Sequence, residues 1–220
     1  LVPVPSLFGV FATAGGVLTT LNPSDKSASL TLSVGNLRAT RNSVTASRFV
    51  SGRATTSKST GKWYLEATTI NANSFIAPPA VGFALSSFVI DNGVSACALG
   101  QDVAGLSIGT YGQDGSIRIA NSVVATGSLW DTAGAQAQVA VDLTARLFWV
   151  RPIGAANWNG SGAANPVTGV GGIAMTGAIA TGALFPAVSC YSTVVPDEMQ
   201  INFGAAAFSG SVPTGFSAWG

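Results

Sequence analysis

The chain has 220 residues, of which 47% are hydrophobic and only 9% charged, and ten Lys+Arg against nine Asp+Glu leave a net charge of +1. Charge this sparse and balanced lacks the basic footprint that a phosphate backbone requires, so nucleic acid is not an expected partner. There is no His, which removes the commonest general base and the commonest transition-metal ligand together; no metal or other cofactor is expected, and any catalysis would rest on carboxylates.

The length suits one β-sandwich or barrel. A charged fraction so far below the roughly 25% of ordinary globular proteins fits a surface covered by neighbouring subunits or a protein that works outside cells.

In chain order, residues 1–20 carry Pro3, Pro5, Gly9, Gly15 and Gly16 among apolar residues such as Leu7, Phe8, Val10 and Phe11. That mixture neither continues a helix nor makes a central strand, and reads as an extended arm that either pads the domain or docks on a neighbouring subunit. Its apolar start has no basic flank, so it does not read as a signal peptide, and the missing initiator Met points to processing or truncation.

Residues 21–220 read as one domain of strands. Short apolar, β-branched or aromatic runs bounded by Gly, Asn, Asp and Pro recur, with no sustained 3.6-residue period. Leu30–Val34, Ala80–Leu85, Ala187–Tyr191 and Met199–Phe203 are such runs. Lys62–Ile70 alternates, which places Trp63, Leu65 and Ala67 on one face of a half-buried strand and Tyr64, Glu66 and Thr68 on the other. Asp114-Gly115 supplies the turn of a hairpin between Leu106–Tyr111 and Ser116–Ala120, and Asp142 opens the turn of a second between Gln138–Asp142 and Arg146–Arg151. Enough strands result for an antiparallel two-sheet β-sandwich. Residues 152–182 are rich in Gly, Ala and Asn and read as a long loop at one end of it. The apolar stretch Val167–Val188 is broken by repeated Gly and by Pro186, so no membrane insertion is expected.

Candidate chemistry is thin. Glu66 and Glu198 are the only glutamates, and neither has an acidic residue two positions away, so the paired carboxylates of a glycoside hydrolase are missing. Asp91-Asn92-Gly93 and Asp114-Gly115 could ligate calcium but serve better as turns. Cys97 and Cys190 match no metal or redox spacing; they are either a disulfide or, the preferred reading, buried free thiols. Trp63, Trp149 and Trp130 lie in or beside strands and read as core. Trp158 lies in the polar loop segment Asn157-Trp158-Asn159, where its ring either stacks on a ligand or folds back on the sandwich. Asn157, Trp158 and Asn159, with Tyr111 and Asp114 at the first hairpin turn, form the candidate ligand-binding set.

Several stretches, in order, resemble the SPRY domains of phage and prophage virion proteins, a branch of the concanavalin-like jelly-roll sandwich. They are Asn22-Pro23-Ser24-Asp25-Lys26-Ser27-Ala28, then Arg53 to Glu66 with its Gly61-Lys62-Trp63-Tyr64-Leu65-Glu66 core, Val81-Gly82-Phe83, the Val139–Trp149 hairpin, Leu184-Phe185-Pro186-Ala187-Val188, Ile201-Asn202-Phe203-Gly204, Phe208 and Pro213-Thr214-Gly215-Phe216. The 152–182 loop is longer than the family's turn, and Leu65 stands where an aromatic is usual. The resemblance implies a binding or scaffolding module without enzymatic activity: a tail fibre, receptor-binding element or decoration protein. Its expected partners are other virion proteins or a host-surface glycan or protein, with the chain homo-oligomeric or particle-bound in an extracellular virion. A secreted lectin-like carbohydrate-binding adhesin is the alternative.

Overall fold

The computed structural model describes residues 18–41, 48–72, 79–92, 97–191 and 196–220. Most of the arm read at residues 1–20 therefore lies outside the described residues, as does Gly93. The strands in chain order are β1 Leu21–Lys26, β2 Leu30–Ser33, β3 Arg38–Arg41, β4 Val50–Ala54, β5 Lys62–Asn71, β6 Ala80–Ala84, β7 Ser107–Tyr111, β8 Ser116–Ile119, β9 Ser122–Thr126, β10 Gln136–Asp142, β11 Leu147–Pro152, β12 Ile173–Ala174, β13 Phe185–Cys190, β14 Glu198–Asn202 and β15 Ser217–Ala218. One sheet runs β1-β4-β13-β6-β7-β8-β9, and the other runs β12-β11-β10-β5-β14-β3-β2, with β15 also joined to β5. Every pairing is antiparallel except β15 with β5. Among the described residues the only helical element is a 3-10 turn at Gly177–Ala180, and no helix is long and apolar enough to cross a membrane. The two-sheet sandwich is as the strand periodicity implies.

Both expected hairpins form, β7–β8 and β10–β11. The second turn is held as Asp142 predicts: its Oδ1 accepts the backbone N–H groups of Thr144 and Ala145 at 2.9 and 2.8 Å. The core between the sheets takes alternate residues from each strand, Leu65 and Ala67 of β5 facing Val81 and Phe83 of β6, with Val139, Val141, Phe148 and Val188 around them. Trp219 enters this core from the chain's end and lies 5.2 Å from Phe83, its indole N–H donating to the Thr56 carbonyl.

The half-buried reading of β5 needs correction, because both of its faces are covered. Tyr64, on the face away from the main core, is fully buried in a second cluster with Ala140, Trp149, Trp158 and Phe216. Two segments cover this outer face. One is the 152–182 region, which carries β12 and bridges Trp158–Ser161 and Asn165–Val170 and, beyond forming a loop at one end, lays Trp158 and Ala164 over the eight-stranded sheet. The other is the segment after β14, which sets Phe208 edge-on to Tyr64 at 4.8 Å and Phe216 edge-on to Trp149 at 6.4 Å. Trp149 accordingly packs outside the main core. Trp63 is only partly buried, with its indole N–H on the Thr60 carbonyl and the Lys58 ammonium 3.7 Å from its ring.

The carboxylate of Glu66 fixes the C-terminal segment in place. It is 3% exposed and accepts the Tyr64 hydroxyl at 2.8 Å and the backbone N–H groups of Ser209 and Gly210 at 2.9 and 2.7 Å. Gly210 lets the segment approach closely, since a Cβ there would displace the Gln138 amide. The outer face of the seven-stranded sheet is covered in the same way by residues 86–92 and 97–106. Ser51 and Ser189 bond each other; Ser51 also donates to the Cys97 carbonyl, Ser189 accepts the Leu99 N–H and Tyr111 donates to the Leu99 carbonyl.

Cys97 and Cys190 are both buried thiols outside any disulfide, the preferred sequence reading, and burial pushes the Cys190 thiol well above its ordinary pKa. Because the thiolate is the reactive form, Cys190 is expected to resist an aromatic disulfide reagent in the native protein and to react only on unfolding; rapid native labelling of Cys190 would contradict its burial.

Two substitutions separate the core from its edges. Trp219→Ala is expected to cost about 3–5 kcal/mol in urea melts, while the partly buried Trp63→Ala should cost less, about 1–3 kcal/mol. Glu66→Ala leaves the buried Tyr64 hydroxyl and two part-buried N–H donors without their acceptor and is expected to cost about 2–4 kcal/mol. Hydrogen exchange should then quicken first at Ser209 and Gly210. Unchanged exchange there would mean that the carboxylate does not hold the segment.

Candidate functional site

Three connections meet at one end of the sandwich. In the β7–β8 turn Gly115 adopts φ +63°, and a Cβ on it would come within 2.4 Å of the Gly127 carbonyl oxygen, so only Gly allows the two connections to close. The link from β9 to β10 lies against that turn, with Gly127 N–H on Gly115 O at 2.7 Å and Trp130 N–H on Gly112 O at 3.0 Å. The third connection arrives at Gly160, where a Cβ would lie 3.1 Å from the Thr126 carbonyl and 3.3 Å from the Gly127 Cα. Residues 112–115, 127–131 and 157–161 thus form one rim, which joins two stretches singled out separately in the sequence.

The five candidate residues divide on it. Asp114 and Asn157 are exposed, whereas Tyr111, Trp158 and Asn159 are buried. Asp114 accepts the Ser116 N–H at 2.8 Å and pairs with Arg118 at 3.2 Å. Burial opposes its ionisation, but the Ser116 hydroxyl and amide and the Arg118 guanidinium outweigh that and hold its carboxyl below the usual carboxylate range. Arg118 also lies 5.3 Å from the ring of Tyr111, whose phenol burial pushes well above its ordinary pKa. With its hydroxyl on Leu99 O and its ring against Phe49, Tyr111 has no face left for a ligand.

Trp158 and Asn159 are likewise structural. The Trp158 ring is 6% exposed and lies beneath the Arg151 guanidinium at 4.4 Å, so the stacking platform expected of it is already occupied from within the protein. Asn159 sits at φ +48° and brackets the edge of the sheet: its Oδ1 accepts the Val150 N–H at 2.8 Å while its Nδ2 donates to Phe148 O and Gly171 O at 3.1 and 2.9 Å. Every polar atom of that side chain is used inside the fold.

Sequence reasoning missed Leu129. It is 57% exposed at the middle of the rim, between exposed Ser128 and Trp130, which is 2% exposed and locked in the main core. The adjacent tryptophan hides the signal, because Leu129-Trp130 reads as a buried pair. Also missed was a cleft of about 400 Å³ on the outer face of the seven-stranded sheet, walled by Phe88, Val89, Asn92, Gln101, Asp102 and Leu106. Its walls come from a Gly- and Ser-rich connection with no motif.

The rim offers hydrogen-bonding groups around an exposed apolar side chain, an arrangement suited to recognition. Among the described residues no three His, Cys, Asp or Glu gather as metal ligands. Both candidate calcium carboxylates have protein partners: Asp114 as above, and Asp91 with Arg48 at 2.9 Å and the Ser27 hydroxyl.

No family model matches the sequence, and no curated protein matches it. Solved structures do match. The SPRY domain of human HERC1 aligns with a TM-score of 0.61 at 14% identity, over 85% of this chain and 99% of that one. The PSpry domain of TRIM65 gives 0.55 at 11% identity, over 84% and 91%. The stonustoxin structure gives 0.55 at 16% identity, over 84% of this chain but 27% of that larger one. At these identities the likeness is one of architecture, and the chain has the fold of a SPRY domain, an antiparallel concanavalin-like sandwich.

Proposed function

We propose that this chain is a non-enzymatic recognition module of a phage-type virion, which attaches through the rim at residues 112–115, 127–131 and 157–161 to a protein on the host surface or to another virion protein. The observation that carries this reading is Leu129, an apolar side chain exposed next to Ser128 on a rim whose other connections carry the exposed Asp114 and Asn157. Interface centres are built in this manner, from an apolar anchor and a polar surround. The sparse charge of the chain and the resemblance of its Gly61–Glu66 block to phage-type SPRY domains support a virion setting. A lectin role loses its main support, since the tryptophan meant to stack on sugar lies under Arg151.

The test has two arms. Mass spectrometry of purified particles is expected to find the chain as a stoichiometric component, and the isolated protein is expected to compete with particles for adsorption to host cells or for reassembly onto stripped particles. Leu129→Asp should weaken that competition at least tenfold, about 1.4 kcal/mol, with an unchanged melting temperature because the side chain is exposed. Absence from particles, or full competition by the variant, would overturn the reading.

A further inference from the structure

On the outer face of the eight-stranded sheet, β5 and β10 change character together. Tyr64 and its partner Ala140 are sealed in the cluster with Trp149 and Trp158. The next pair on that face is Glu66 with Gln138, and the one after it is Thr68 with Gln136. Gln200 of β14 stands beside Thr68, and Arg38 of β3 beside Gln200. Four adjacent strands thus carry Gln136, Thr68, Gln200 and Arg38 in one row, all part-exposed, on a face that apolar residues cover elsewhere.

A cleft of about 210 Å³ opens over this row, with Thr68, Gln136 and Gln200 in its lining and Leu37, Ala206 and Ala207 as its apolar walls. The wall that follows β14 is held at both ends. Asn202 accepts the Gly204 N–H at 2.9 Å and donates to the Ala206 and Ala207 carbonyls at 3.1 and 3.2 Å, and Glu66 holds Ser209 and Gly210 as described above. The cleft is therefore preorganised, on strands and on a fastened turn.

Its free groups define what fits. The Gln136 Nε2 donates to the Thr68 Oγ1 at 3.3 Å, which leaves the Gln136 carbonyl oxygen and the Thr68 hydroxyl proton without a partner among the described residues. Arg38 donates to the Gln200 Oε1 from Nε and Nη2 at 3.1 and 2.8 Å. A guanidinium only donates, so it fixes that amide and leaves the Gln200 NH₂ group unpartnered among the described residues. Charge is already matched: Arg38 meets Glu198 at 3.4 Å, and Glu66 accepts three donors. The row therefore offers two donors and one acceptor across two strand spacings, about 10 Å, with no charge seeking a partner. A volume below the roughly 300 Å³ at which drug-sized pockets begin has room for one small ring and not for a length of peptide.

We infer that this cleft binds one neutral sugar residue of a glycan. Each sugar hydroxyl both donates and accepts, so neighbouring hydroxyls meet the Gln200 NH₂ group, the Thr68 hydroxyl and the Gln136 carbonyl, while the C–H face of the ring lies on the Ala206 and Ala207 methyl groups. No aromatic ring lines the cleft, so a single site binds weakly, with a Kd on the order of 1–10 mM. The cleft shares no residue with the rim at Leu129, and either site can fail without the other.

The methyl glycosides of glucose, galactose and N-acetylglucosamine are the probes, and the side-chain NH₂ signals of Gln136 and Gln200 in proton–nitrogen NMR spectra are the readout. At least one glycoside is expected to shift both signals saturably, while inorganic phosphate and tetraglycine leave them in place. Thr68→Val removes a bonding group, and Ala207→Trp fills the cleft from an exposed position. Each should weaken binding at least tenfold with a melting temperature within a few degrees of the parent's. No saturable shift from any of the three glycosides, or undiminished binding by both variants, would overturn the inference. Saturation by tetraglycine instead would overturn it in favour of a peptide site.

Discussion

A buried carboxylate costs several kcal/mol unless donors meet it, and in this fold the donors that meet Glu66 belong to a segment more than 140 residues away in sequence. Tyr64 supplies one bond from the same strand; Ser209 and Gly210 supply the others. The consequence spreads along the C-terminal segment. Once its backbone is drawn to β5, Phe208 reaches Tyr64, Phe216 reaches Trp149, β15 pairs with the start of β5, and Trp219 enters between the sheets to meet Phe83. An apolar residue in place of Glu66 could cover area, but could not fix the register of the segment. Directional bonds to two successive N–H groups do.

The other sheet reaches the same end with neutral groups. Its outer face presents Ser51, Ser189, Ser107 and Tyr111, and these bond the backbone of residues 97–100, so the covering segment is held by hydroxyl groups. Glycine makes the contact close: a Cβ on Gly109 would sit 2.6 Å from that of Leu99. Arg53 completes the arrangement from β4, donating to the Leu85 and Phe88 carbonyls while holding Asp25 through two bonds at 2.7 Å. A sandwich covered on both outer faces resembles four layers more than two, which accounts for a chain 47% hydrophobic and 9% charged.

What could be read from the sequence follows from this layering. Strands with apolar alternation or a continuous apolar run, such as β5, β6, β10, β11 and β13, were legible because one face of each meets the inner core. β4 was not: Val50-Ser51-Gly52-Arg53-Ala54 looks like a polar connection, yet it is buried throughout and lies within the sheet between β1 and β13, because its polar side chains bond to the covering segment instead of to water. β1 was hidden by Pro23, which only an edge strand tolerates, and β9 by its exposure, Ala125 alone of its residues packing on the core. The Gly61–Glu66 block was the most informative stretch, and its residues act in different ways. Gly61 at φ +92° makes room for the Trp63 indole, Lys62 pairs with Asp142 at 3.6 Å, Leu65 fills the core and Glu66 anchors the C-terminal segment. Asn157-Trp158-Asn159 misleads because polar neighbours ordinarily signal solvent. Asn159 is polar because it bonds the sheet edge, and Trp158 is buried by the turn that Asn159 fixes.

With both faces largely covered, the places where another molecule can engage the sandwich are its ends, its strand edges and the clefts its covering segments leave. Of these, the rim and the β9 edge differ in the kind of contact they can make. The rim presents side chains on glycine-closed turns whose backbone groups bond one another, so its specificity must come from side-chain shape and hydrogen bonding around Leu129. The β9 edge presents backbone groups, which any extended segment can satisfy, and two valines that ask only for an apolar neighbour. The first suits a partner selected by its surface. The second selects little beyond an extended apolar backbone, and the register shift at Val123–Ala125 narrows even that.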